Sequence, residues 1–163
     1  MTRSTRERQD RLIQERVHDT YKLRGKLSEP TRCPQCGAVY HNGRWTWAAD
    51  SPADTGEQVC TACHRTNDNY PAGELTLLGG FVKGHRNEIT GLAHNIEATE
   101  KSEHPMNRII AVRSQDDSLL ITTTDVHLPR RIAKAIQDAY DGELDIHFDN
   151  EGYFISIVWR RDE

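Results

Sequence analysis

The chain has 163 residues, 36% of them hydrophobic and 28% charged. That composition supports one domain, or one small module beside a modest core, and excludes a wholly disordered chain. The net charge of -4 excludes a uniformly basic coat for nucleic acid.

The charge is polarised. Residues 1–65 carry 11 Lys/Arg against 8 Asp/Glu, a net of +3, while residues 74–163 carry 10 against 16, a net of -6. A basic front and an acidic back can orient a protein on a polyanion. No apolar run reaches bilayer-spanning length and the N-terminus has no hydrophobic signal core, so a cytoplasmic protein is expected.

Residues 1–29 form a basic arm with Arg3, Arg6, Arg8, Arg11, Arg16, Lys22, Arg24 and Lys26. Its apolar stripe, Leu12, Ile13 and Val17, is too short to offset the entropy of ordering it. Such an arm frays when free and orders on RNA, where its cations meet phosphates.

Residues 30–73 hold the only four cysteines, as Cys33-Pro34-Gln35-Cys36 and Cys60-Thr61-Ala62-Cys63. A two-residue spacer lets both thiolates of a pair face one ion, and four thiolates close a tetrahedral structural zinc site. Gly37 supplies the turn after the first pair, and the 23 residues from Gly37 to Val59 fit a zinc ribbon with a hairpin in its loop. The disulfide or redox alternative is disfavoured, because a thioredoxin-like pair belongs at a strand-to-helix turn of a βαβ unit. Thiolate ligands also fit a reducing compartment. One structural Zn2+ on Cys33, Cys36, Cys60 and Cys63 is therefore expected, with His41 and His64 redundant.

Inside the loop, Ala38-Val39-Tyr40 and Arg44-Trp45-Thr46-Trp47 read as strands around the turn His41-Asn42-Gly43. Trp45 and Trp47 share a face, and one of them is expected buried and one partly exposed. Tryptophan beside Arg32, Arg44 and Arg65 is the composition of a stacking platform for unpaired bases.

Residues 74–163 carry the main core. Glu74 to Leu78 reads as a short strand. Phe81, His85, Ile89, Leu92 and Ile96 recur at helical spacing from Gly80 to Ser102, and His104-Pro105 stops the helix. Strands follow at Asn107–Arg113 and Leu119–Thr123. Asp125 is placed to cap a helix with Pro129 in its first turn and an apolar stripe of Leu128, Ile132, Ile136 and Ala139. Glu143–Asp149 and Tyr153–Trp159 alternate as a last hairpin. The expected fold is α+β: an N-terminal four-cysteine zinc ribbon followed by an α-ββ-α-ββ antiparallel-sheet sandwich.

No His-Glu-x-x-His and no phosphate-cradling glycine loop is present, and the best catalytic grouping is His127 with Asp145 and His147. Dispersed polar residues of this kind are more often solvated than catalytic, so no enzyme is expected.

Cys60-Thr61-Ala62-Cys63-His64-Arg65, the long helix after it, and Leu119-Leu120-Ile121-Thr122-Thr123-Thr124-Asp125 leading into Arg130-Arg131-Ile132-Ala133 resemble a ribosomal family. It is the large-subunit export and assembly adaptor family first named for nonsense-mediated decay in eukaryotes, with archaeal relatives. Arg24-Gly25-Lys26-Leu27, Cys33-Pro34-Gln35-Cys36-Gly37, Gly43-Arg44-Trp45 and Gly142-Glu143-Leu144-Asp145-Ile146-His147 are similar to segments of its short bacterial relatives. The bacterial likeness covers roughly residues 20–161, and the likeness to the longer proteins mainly 60–150. The resemblance implies binding at the inter-subunit face of the large ribosomal subunit, with contacts to rRNA and ribosomal proteins. This chain has two Cys-x-x-Cys pairs where long members have several, and lacks their downstream domains and transport signals, so nuclear export is not implied.

The expectation is a non-catalytic zinc-ribbon protein that binds the ribosome in hibernation, assembly or translation control. The phosphate contacts would come from the arm and from Arg32, Arg44 and Arg65, with Trp45 or Trp47 stacking. The competing expectation is a protein-interaction adaptor that docks through its acidic C-terminal domain.

Overall fold

The computed structural model describes residues 27, 29–47 and 55–163. The arm cations Arg3, Arg6, Arg8, Arg11, Arg16, Lys22, Arg24 and Lys26 lie outside the described residues.

A small sheet comes first, of β1 (Thr31–Arg32), β2 (Val39–His41), β3 (Arg44–Thr46) and β4 (Gly56–Glu57), in the order β3-β2-β1-β4. The β2–β3 turn is made by Asn42 and Gly43, both at positive φ (54° and 78°), the conformation that suits a two-residue hairpin. β4 pairs with β1 in parallel, so this module is more than an antiparallel ribbon. It then runs into helix α1 (Thr61–Asp68), whose N-cap is Cys60. The second cysteine pair thus opens a helix, which the ribbon expectation did not include.

The body is built on a second sheet of β5 (Gly73–Leu78), β6 (Ile109–Gln115), β7 (Ser118–Thr123), β8 (Glu143–Phe148) and β9 (Ile155–Arg160). Its order is β6-β7-β5-β9-β8. The pairs β6–β7, β5–β7 and β8–β9 are antiparallel, but β5 and β9 run parallel, from Gly73 beside Ile155 to Leu78 beside Arg160. The sheet is therefore mixed, which corrects the antiparallel expectation. Each hairpin appears as expected, but β5 lies between them and is the central strand. Alternation along a strand reports which face is buried; it carries no direction for the neighbour.

Leu75, Leu77, Leu119, Ile121, Ile155, Ile157 and Trp159 point to the helical side of this sheet and are all buried. Helices α2 (Gly80–Gly84), α3 (Arg86–Glu103) and α4 (Leu128–Tyr140) cover them with Phe81, Val82, Ile89, Ala93, Leu128, Ile132 and Ile136. The long helix expected from Gly80 is broken at His85. There φ is -128° and ψ 21°, the ring stacks on Phe81 with centroids 3.9 Å apart, and Nδ1 lies 2.8 Å from the Phe81 carbonyl oxygen. Trp159 closes the core by donating its indole N–H to Gln137 Oε1 at 2.9 Å. Among the described residues no helix is long and apolar enough to cross a membrane.

Candidate metal centre

Cys33 leaves the end of β1 and Cys36 follows in the turn before β2. That turn is closed by the Gly37 N–H donating to the Cys33 carbonyl at 2.9 Å and the Cys33 N–H donating to the Ala38 carbonyl at 2.8 Å. Gly37 takes φ of 82°, which explains a glycine there. Cys60 and Cys63 sit on the first turn of α1, where backbone N–H groups have no intrahelical partner. The Cys63 N–H points at Cys60 Sγ and the Cys60 N–H at Cys33 Sγ, each at 3.4 Å. The fold thus turns otherwise orphaned donors toward sulfur.

All four sulfurs lie within 4.8 Å of one another, and the cysteines are free thiols. The Cys33–Cys63 and Cys36–Cys60 separations are both 3.8 Å. A tetrahedron with metal–sulfur bonds of about 2.3 Å has edges of about 3.8 Å, so donor set and spacing both fit a metal ion. Cys33, Cys60 and Cys63 are buried, and His41 and His64 are outside the cluster. The four cysteines supply a complete tetrahedral donor set, with Cys36 the half-buried member.

Burial pushes the Cys33 thiol up, but the N–H groups of Cys60, Cys36 and Gln35 outweigh it and bring it down to about 7. Cys60 and Cys63 go the other way because burial dominates there. A metal ion held by Cys33, Cys36, Cys60 and Cys63 would take them as thiolates, so its binding would release protons.

The residue that completes the centre comes from the body. Arg108, just before β6, directs Nη2 at Cys36 Sγ (3.0 Å) and Cys60 Sγ (3.6 Å), and Nη1 at Cys63 Sγ (3.2 Å). Burial alone would lower the pKa of this guanidinium, but the sulfurs beside it raise it above the usual arginine value. Four thiolates on a divalent ion carry a net charge of about -2, and Arg108 neutralises part of it. Its side chain is fixed by Nε donating to the Pro105 carbonyl at 2.7 Å. Its backbone is fixed by Thr124, whose Oγ1 accepts from the Arg108 N–H at 2.9 Å and donates to the Met106 carbonyl at 2.6 Å. The Thr124 hydroxyl thus holds the arginine that clamps the cysteine module. Arg108 carried no motif, and a lone cation ahead of an apolar strand gives no sequence signal.

Both tryptophans also hold this joint. Trp45 is half-buried against the cysteine cluster and meets Tyr40 edge-on at 5.5 Å. Trp47 is 39% exposed, donates its indole N–H to the Lys101 carbonyl at 2.6 Å, and has Arg108 5.9 Å from its ring centroid. Met106 packs on the cluster and accepts from the Thr61 hydroxyl at 3.2 Å.

Arg32 and Arg44 are exposed, and strand register puts them on the face of the small sheet opposite Trp45. Arg65 is different. It is only 5% exposed, and its Nη1 donates to the Tyr70 carbonyl at 3.1 Å, closing the end of α1. The expectation of a phosphate contact at Arg65 is therefore corrected: a buried guanidinium spent on a backbone carbonyl is not surface charge. His147 and Asp145 pair at 3.0 Å on exposed β8, while His127 lines a cavity to which neither contributes.

No protein-family model, curated protein or solved structure matches this chain. Fold and site define its class by themselves: a mixed α+β chain whose four-cysteine module, able to hold a metal ion, is clamped by an arginine onto a larger five-stranded sheet.

Proposed function

We propose that the centre holds one structural zinc ion and that the chain is a non-catalytic RNA-binding module acting on the large ribosomal subunit. The observation that carries this reading is the closed centre. Four thiolates and the Arg108 guanidinium enclose the ion position, so the metal organises a surface and offers no open coordination position for a reaction. That surface presents Arg32 and Arg44 to solvent, and the sequence ahead of it, residues 1–29, is basic. Zinc is favoured because tetrahedral all-thiolate sites suit it and its bond lengths match the sulfur spacing. The ribosome is favoured by the resemblance of the cysteine, Gly43-Arg44-Trp45 and 119–133 segments to the large-subunit adaptor family. Hibernation, assembly and translation control are all compatible with a small binder of the inter-subunit face.

Sucrose-gradient profiles of the tagged protein, from growing and starved cells at low and high salt, test the reading. Co-sedimentation with the large subunit at low salt and release at high salt supports it. A protein that remains at the top of the gradient in every condition overturns it.

A second reading, a protein-interaction adaptor, is favoured by one observation. Leu144, Ile146 and Phe148 are 37, 40 and 48% exposed along edge strand β8, beside Glu143 and Asp145. An uncovered apolar edge invites strand addition. Ile146→Lys abolishing recovery of a protein partner, with ribosome binding intact, would favour the adaptor.

A further inference from the structure

Two cavities meet at the seam between the metal module and the body. One, of about 400 Å3, is walled by the β2–β3 hairpin, including Tyr40, Arg44 and Trp45, and by residues 103–107. The other, of about 510 Å3, lies between the end of α3 and the start of α4, where His127 and Arg130 face it. His104 and Asn107 line both, so the 104–107 loop is the shared floor of one groove.

We propose that this groove is a track for an unpaired RNA strand, running from Arg44 on the metal module to Arg130 on the body. The proposal rests on the RNA-binding reading and adds to it a surface on the acidic half of the chain. The groove's charges are graded. Arg131 is tied to Glu100 at 2.9 Å, which compensates both, and Glu103 is an exposed acid on the rim. Arg44 and Arg130 have no carboxylate partner among the described residues. Arg130 is positioned in advance, with its guanidinium 5.7 Å from the Phe148 ring centroid. An arginine held over an aromatic ring keeps its N–H edge free for phosphate oxygens. Between the two cations, Tyr40 and Trp45 supply aromatic wall and His104, Asn107 and His127 supply polar groups.

Cations at both ends with aromatic and amide groups between them match a ligand that alternates phosphate with base. An acidic peptide would use the cations but not the aromatic wall. Arg108 and Trp47 hold the module against the body, so the groove exists only while the module is docked.

The test uses the metal-loaded full chain and a fluorescent oligouridine of about ten nucleotides, followed by anisotropy. Arg130→Glu and His127→Ala are compared with Arg32→Glu, which lies off the groove's lining. The expected result is a loss of about tenfold for Arg130→Glu, with a salt slope shallower by about 0.7. Photocrosslinking of thiouridine-substituted RNA is expected to label residues 104–107. Wild-type affinity in both groove variants, with Arg32→Glu impaired, overturns the groove and leaves the RNA-binding reading standing. No RNA binding by the wild type overturns both. Binding of polyglutamate that displaces the RNA from an otherwise indifferent groove overturns RNA as the occupant.

Discussion

Arg108 Nη2 lies 3.0 Å from Cys36 Sγ, although 72 positions separate the two residues in the chain. This one contact ties the head of β6 to the first cysteine turn. It makes the candidate metal centre a joint between the two sheets. The partners that aim Arg108, Thr124 and the Pro105 carbonyl, belong to the body as well.

Replacing Arg108 should loosen the joint and weaken the metal. Arg108→Ala removes hydrogen bonds to three sulfurs and is expected to lower metal affinity by about 10–100-fold, the usual effect of losing an outer-shell partner. Arg108→Lys should recover only part of that loss, because a single ammonium cannot reproduce the planar fork. Competition with a chromogenic chelator reads the affinity. Wild-type affinity in Arg108→Ala would remove the clamp from the account.

Asp125 caps α4 by accepting from the N–H groups of His127 (2.9 Å) and Leu128 (3.2 Å). Burial nevertheless raises its carboxyl pKa above the ordinary value, outweighing those bonds. With the folded value above the unfolded one, the fold binds the proton more tightly. The contribution of Asp125 to stability therefore grows as pH falls through that window and is lost as pH rises above it. Asp125→Asn keeps an acceptor without the buried charge and should unfold within about 0.5 kcal/mol of wild type at neutral pH, whereas Asp125→Ala should cost about 1 kcal/mol. Urea titrations at pH 7 and pH 5 check both; an Asn variant as damaged as the Ala variant would show that the charge itself makes the cap.

Two glycines should respond in opposite directions. Gly142 has φ of 136°, and a Cβ there would lie 2.7 Å from the Trp159 ring, so Gly142→Ala is expected to cost at least about 2 kcal/mol. Gly91 lies in α3 with nothing within 4 Å of its Cβ position, so Gly91→Ala should stabilise by about 0.5–1 kcal/mol. Thermal unfolding separates them by the sign of the Tm shift.

If Arg44 and Arg130 each meet one phosphate, the logarithm of the single-strand RNA association constant should fall against that of salt with a slope of about -1.4, before any contribution from outside the groove. Arg65→Gln should leave that slope unchanged and lower stability, since Arg65 bonds to Tyr70 inside the module. A shallower slope in Arg65→Gln with stability intact would return Arg65 to the binding surface.

What the sequence disclosed follows from the range over which each feature is encoded. The cysteine spacing, the Asn42-Gly43 turn, the α4 stripe and the stop at His104-Pro105 are local, and each was visible within a few residues. The parallel pairing of β5 with β9 was not, because Leu75 and Leu77 alternate in the same way beside a neighbour of either direction. The roles of Arg65 and Arg108 were hidden for a related reason. Both are single cations near other features, and only tertiary packing determines which one reaches sulfur and which is buried against Tyr70. The β8 residues Leu144, Ile146 and Phe148 have the pattern of a buried face, yet they lie on an edge strand that α4 covers only in part.

The most direct test of the central claim, that the metal joins the module to the body, is hydrogen–deuterium exchange before and after chelation, with zinc content measured on the same preparation. The account predicts one zinc per chain. It also predicts that chelation deprotects residues 31–47 and 55–65 and, in the same step, the 104–109 loop held by Arg108, while β5, β9 and α4 stay protected. Protein purified without chelator that contains no zinc, or a 104–109 loop whose exchange is indifferent to the metal, would contradict it.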